Sequence, residues 1–164
     1  MTGNILVLGV GNPLMGDDAL GILAVEMLRA RPDLPTGIDL VDGGTEGIGL
    51  IPLMASYQCV MVVDAVMMNL PAGTIQRFVW QEARVVKGEH SLSLHQSDLT
   101  DALILAETLK CLPPEVVIYG VQPQNTAWDD LLSPAVERAL PALVDLLIQE
   151  IRSRKDDGSK DTDY

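Results

Sequence analysis

The sequence predicts an α/β fold: a three-layer sandwich in which a mostly parallel, twisted sheet of about five strands is flanked by helices. Three observations carry this expectation. Short apolar runs rich in β-branched residues recur at residues 5–12 (ILVLGVGN), 37–44 (GIDLVDGG) and 59–65 (CVMVVDA), and runs of this kind read as strands buried on both faces. Helical patterns alternate with them, as in crossover units of a parallel sheet. Each run also closes around a polar or acidic residue: Asn12, Asp42 and Asp64. In a parallel sheet the C-terminal strand ends share one edge, and ligands bind in the crevice there. Asp17 and Asp18 follow the first run and join that rim. Carboxylates gathered at such an edge repel one another unless something positive sits among them, and a metal ion is the obvious candidate.

The elements follow in order. Residues 19–30 place Leu20, Leu23, Ala24, Met27 and Leu28 on one helical face, with Asp17 or Asp18 available to cap it. Residues 46–55 make a short helix before the third run. Pro71-Ala72-Gly73 is a turn into a fourth strand over 74–80, antiparallel at an edge, and 84–93 is loop-like. Ser93 with Gln96 matches a capping box and opens a helix to residue 110, with Leu99, Leu103, Ala106 and Leu109 facing inward. Pro113-Pro114 ends it, and EVVIYGV (115–121) is the last core strand. A loop over 122–130 carries Trp128, placed to help dock a partner. Ser133-Pro134 then caps a final helix that Pro141 kinks or restarts. Residues 1–151 form a single domain, and 152–164 a polar, disordered tail.

Composition bounds the function. The 164 residues suit one domain, and a 48% hydrophobic share fills its core, but aromatics are only 4%, so Val, Leu, Ile, Ala and Met must build it. No apolar stretch reaches the ~20 residues that span a bilayer. Residues 4–10 are broken by glycine too early for a signal peptide, and the expected compartment is the cytoplasm. Cys59 and Cys111 lack C-x-x-C spacing and read as small core residues; with only His90 and His95 beside them, the chain holds no zinc-type Cys/His cluster. A net charge of −12 argues against nucleic acid and anionic membranes.

The candidate site residues each have a plainer alternative. Gly9-Val10-Gly11-Asn12 resembles the first half of a dinucleotide fingerprint, but Leu14 stands where the third glycine is required, so a tight turn is the simpler reading. Only one of Asp17 and Asp18 can cap the helix, which leaves the other to point into the crevice. Asp64 is expensive to bury as an anion unless paired or metal-bound, though capping would also explain it. His95, at the opening of a predicted helix, is held neutral by the helix dipole and is available as a ligand; His90 reads as solvent-exposed. Asp18, Asp64 and His95 together form a recurrent divalent-metal set, suited to nickel, zinc or iron with positions left open. Neither H-E-x-x-H nor G-x-S-x-G is present, so hydrolysis would have to go through carboxylates or a metal.

Taken in order, GVGNPLMGDDALG (9–21), LVDGGTEG (40–47), VVDA (62–65), SLHQ (93–96) and YGVQP (119–123) resemble the nickel–iron hydrogenase maturation endopeptidases over residues 4–150. The resemblance implies a cytoplasmic protease that trims a C-terminal peptide from the precursor of a hydrogenase large subunit once nickel is installed. The cofactor would be nickel supplied by that precursor. The family's metal-contacting residues fall on Asp18, Asp64 and His95, the same three that chemistry selects; Asp18 stands where Glu is frequent and Leu94 where proline is common. These three are the expected catalytic and metal-binding residues, with Asp42, Gly43 and Gly44 lining the substrate cleft or forming a strand-to-helix turn. Other readings are a non-catalytic, nickel-checking chaperone of the precursor, an independent metallohydrolase of small peptides, and a nucleotide-binding α/β protein.

Overall fold

The computed structural model describes residues 4–83, 93–94 and 98–160. Strands β1 (Ile5–Val10), β2 (Ile38–Gly44), β3 (Cys59–Met67) and β6 (Glu115–Val121) pair in parallel. Strand β4 (Ile75–Val79) closes one edge antiparallel to β6, and the two-residue β5 (Ser93–Leu94) pairs antiparallel with the end of β3. The order is β2-β1-β3-β6-β4. The chain therefore leaves β1 toward one edge and returns to its other side at β3. This is the switch point at which the carboxyl ends of an open sheet form a crevice.

Side chains alternate across the strands, so both faces of the sheet are apolar. Val7, Met61, Val63 and Val117 meet Leu20 and Leu28 of α1 (Leu20–Arg29) and Leu143, Leu147 and Ile151 of α5 (Pro134–Lys160). Leu6, Leu8, Val60, Val62 and Ile118 meet Leu50, Met54 of α2 (Ile51–Met54), Trp80 of α3 (Trp80–Ala83), and Leu99 and Leu103 of α4 (Asp98–Thr108). The three layers are those the alternating pattern predicts.

Several boundaries differ from the sequence reading. Asp64 does not end its strand: β3 runs on to Met67 because Val66 and Met67 pair with Leu94 and Ser93. The same pairing makes Ser93 part of a strand, so α4 begins at Asp98. Leu109 lies past the end of α4 and is exposed. The short helix expected over 46–55 is a 3-10 turn, Gly47–Leu50, followed by the four-residue α2. Helix α5 passes Pro141 as one element and reaches Lys160, where composition suggests coil from residue 152.

The polar residues of that extension are engaged at the sheet edge. Arg154 donates to both carboxylate oxygens of Glu115 (2.7 and 2.6 Å) and to Glu150 Oε1 (2.7 Å). Arg77 of β4 holds Glu150 from the other side at 2.8–3.0 Å, and the Tyr119 hydroxyl donates to it as well. Arg152 bonds Asp33 at 3.0 Å. Local composition cannot reveal partners 39 to 119 residues away.

Burial pushes the Glu150 carboxyl up, but the bonds from Arg77, Tyr119 and Arg154 outweigh it and hold the pKa at about 2. A carboxyl depressed by folding adds stability above its unfolded pKa and loses it as pH falls through the folded value. Glu150→Gln is therefore expected to destabilise the protein at pH 7, by about 3 kcal/mol as for a broken buried ion pair, and by progressively less between pH ~4.5 and about 2. Urea unfolding of both proteins across that range checks the window.

A candidate active site at the switch point

Helix α1 comes close to the sheet because two glycines allow it. A Cβ on Gly21 would stand 2.6 Å from the Val10 carbonyl oxygen and nearer still to that of Val63. The 3-10 turn Gly16–Ala19 preceding α1 is thereby drawn against the end of β1. Gly11, at φ +129°, adopts a backbone region open to glycine, and a Cβ there would collide with the Asp18 carbonyl. These contacts set where the two adjacent acids point.

Neither acid caps the helix. Asp18 accepts the Asn12 N–H at 2.8 Å and lines the crevice. Asp17 turns the other way and is fully buried. Its carboxylate accepts the N–H groups of Gln124 (2.8 Å), Asn125 (2.9 Å) and Ser133 (2.7 Å) and the Ser133 hydroxyl (2.8 Å). Ser133 thus spends its side chain on Asp17 rather than on capping α5. Burial pushes the Asp17 carboxyl up, and the backbone N–H groups of Asn125, Ser133 and Gln124 outweigh it, leaving it below the usual carboxylate range. Asp17 fastens the loop between β6 and α5 to the site.

Asp64 enters from the floor. The β1–β3 ladder ends at Gly9–Val63, while β3 stays paired with β6 as far as Ala65–Val121. Asp64 is therefore the first residue of β3 past the point where β1 turns away. By alternation it shares a face with Val60 and Val62, beneath Leu50 and Leu99. It is 5% exposed. Burial, and then the nearby Asp18 charge, push its pKa well above the ordinary value.

The resulting cavity holds about 370 Å³. Asn12, Asp18, Thr45, Asp64 and Thr126 supply its polar lining, and Val10, Met15, Leu50 and Leu99 its apolar walls. Gly44 lines it too, at φ +51°. Asp42 does not: its Oδ1 accepts the Gly44 N–H at 2.9 Å in an exposed turn. Gly43 faces Leu8 and Leu50 in the core. Of the expected substrate-binding trio, Gly44 is in the lining and the other two shape the turn behind it. Of the expected metal set, Asp18 and Asp64 come together; His95, like His90, lies outside the described residues, and its chain neighbour Leu94 pairs with Val66. Among the described residues no group of three His, Cys, Asp or Glu could hold a metal by itself. Thr45, Thr126 and the clamping role of Asp17 have no signal in local sequence.

A family model described as hydrogenase maturation protease matches residues 22–150. The chain belongs to the hydrogenase maturation protease family. It is 33% identical to the hydrogenase 2 maturation protease of Escherichia coli over 144 residues, covering 87% of this chain and 88% of that one. It is 40% identical over 122 residues to the hydrogenase expression/formation protein HoxM of Azotobacter vinelandii, covering 74% of this chain but only 59% of that relative's length. The solved structure of the hydrogenase maturating endopeptidase HybD from E. coli superposes with a TM-score of 0.78 at 30% identity, over 92% of this chain and 93% of that one. In this chain Asp18 and Asp64 face the crevice where a dinucleotide phosphate would sit, and Gly11 of the glycine loop lets the Asp18 backbone approach closely. No helix among the described residues is long and apolar enough to cross a membrane.

Two outcomes follow for the acids. Asp17→Ala strands three backbone donors and a hydroxyl, and is expected to cost about 4 kcal/mol at about 1 kcal/mol or more per unmet group, as read by urea unfolding. For Asp64 the sign is opposite. A carboxyl whose folded pKa lies above its unfolded ~3.9 favours the fold while protonated and loses that contribution as pH rises through the folded value. Asp64→Asn should therefore raise the melting temperature of the metal-free protein at pH 7 and leave it unchanged below pH ~4. Equal melting temperatures at pH 7 would mean that Asp64 is not held against its charge.

Proposed function

We propose that this protein is the endopeptidase that removes a C-terminal peptide from the nickel-loaded precursor of a nickel–iron hydrogenase large subunit. In this reading Asp18, Asp64 and His95 complete the coordination of the nickel that the precursor carries, and the work is done in the cytoplasm. The observation that carries it is Asp64 buried beside Asp18 in a cleft at the switch point. Two carboxylates so placed are at odds with each other until a cation arrives between them. A protease built this way is completed by its substrate.

The chemistry follows from the donors. Carboxylate oxygens with one imidazole suit a borderline divalent ion such as nickel. Such an ion polarises a scissile carbonyl and lowers the pKa of a bound water. One of the two carboxylates, ionised beside the ion, can take the proton that the attacking water gives up. Gly44 in the cleft wall presents no side chain to a substrate backbone, which lets an extended peptide lie close. Met15, Leu50 and Leu99 keep one side of the cavity apolar and limit water around the ion. A chaperone that checks nickel without cutting would use the same donors, and only turnover separates the two.

The test is cleavage of a nickel-loaded large-subunit precursor beside a nickel-free one. Processing is expected only with nickel, and Asp64→Asn should lower kcat/KM by more than about 100-fold, the loss expected when a metal's ligand shell is disturbed. Retained binding of the loaded precursor by wild type without any cleavage would make the protein a chaperone. Equal cleavage of the nickel-free precursor would remove the metal from the mechanism.

A further inference from the structure

Beside the cleft, three large apolar side chains stand in the open. Trp128 is 75% exposed, Leu131 70% and Leu14 51%. The backbone brings them together: Gly16 N–H donates to the Asp129 carbonyl at 2.9 Å and Asp129 N–H to the Leu14 carbonyl at 3.0 Å, a parallel bridge between Met15 and Asp129. Leu14 and Trp128, each one residue before the bridged pair, are neighbours across it. Leu14 sits in the turn that the Met15 N–H closes on the Asn12 carbonyl at 3.1 Å, and it stands open to solvent while Met15 lines the cleft. The Leu131 N–H donates to Asp129 Oδ1 at 3.1 Å, which holds it next to the same bridge. The loop is anchored at both ends by Asp17, through Gln124 and Asn125 on one side and Ser133 on the other. Its apolar tips are therefore held in place before any partner arrives, which lowers the cost of ordering them on binding.

We propose that Leu14, Trp128 and Leu131 form the surface on which the folded body of the hydrogenase precursor docks while its C-terminal segment lies in the cleft. This rests on the function proposed above. Three observations select that occupant. The patch is continuous with the cleft, since Met15 and Thr126 line the cavity from the two segments that carry it. A cavity of about 370 Å³ is of small-molecule size, whereas a specific complex of two folded proteins covers ~800 Å² a side. Most of the contact must then lie outside the cleft, and an exposed tryptophan is the kind of residue that anchors it. Finally, Asp129 and Asp130 directly follow Trp128 in a chain of net charge −12. The matching face of the precursor is an apolar hollow rimmed by Lys or Arg, so that charge steers approach and the hollow holds the tryptophan.

The experiment compares wild type with the double variant Trp128→Ser/Leu131→Ser, and with Leu109→Ser as a control. Leu109 is 60% exposed and sits just before β6, at the opposite edge of the sheet. With nickel-loaded large-subunit precursor as substrate, the double variant should raise KM at least 10-fold, as expected for loss of anchoring residues. Its kcat should stay within about twofold, and its melting temperature and the behaviour of the control should match wild type. A KM equal to that of wild type, with both proteins cleaving, would overturn the docking surface and leave the protease standing. Wild type that sediments as a dimer, with the double variant a monomer of unchanged KM, would assign the patch to a second copy of this chain instead. Wild type that cleaves no nickel-loaded precursor would bring down the proposed function, and this surface with it.

Discussion

Where α1 begins, backbone lies against backbone. Gly21 meets the carbonyls of Val10 and Val63 with no room for a side chain, and that contact draws the helix onto two neighbouring strands at once. Much of the site depends on it. The turn at 16–19 is pulled against the end of β1, so Asp18 lines the crevice and Asp17 is driven into the protein. A bulkier residue at 21 would lift the helix and swing both carboxylates away together. Close packing of this sort transmits small displacements, because interiors have little free volume to absorb them.

Asp17 and Asp64 consequently do unrelated work. Asp17 is surrounded by N–H donors and holds its charge easily. Asp64, across the cleft from Asp18, lies among valines and leucines and holds its charge only against burial and repulsion. The first arrangement stiffens the frame. The second stores unfavourable electrostatics at a place that a cation can reach, and perturbed groups of this kind concentrate where chemistry happens. The rigid clamp and the strained acid lie side by side, since the loop held by Asp17 sends Thr126 into the cavity that Asp64 lines.

The strand pattern, the helix between the first two strands and the edge position of β4 were legible because each rests on periodicity within a dozen residues or on a nearby Pro-Gly turn. Asp64 was legible for a related reason: an acid within an apolar run conflicts with its surroundings, and the conflict is visible in the local sequence. Which of Asp17 and Asp18 faces the crevice was not, because their neighbours in the fold decide it. Ser93 and the end of the fold were misread because the deciding contacts are distant. Ser93 matches a capping box, yet the edge of β3 beyond Asp64 claims its backbone. Residues 152–160 look like a polar tail, yet Arg152 and Arg154 find Asp33, Glu115 and Glu150.

By itself the sequence determined the α/β class, the mostly parallel sheet and the oddity of Asp64 in an apolar run, because these follow from where apolar side chains must hide and where charge resists hiding. Tertiary structure alone decided which way each acid points. It turned Asp17 into a clamp across 107 to 116 residues of chain, withdrew Asp42 into its own turn, and set Trp128 beside Leu14. Those outcomes depend on hydrogen-bond donors that only folding brings near, and no local pattern of residues encodes a partner that far away.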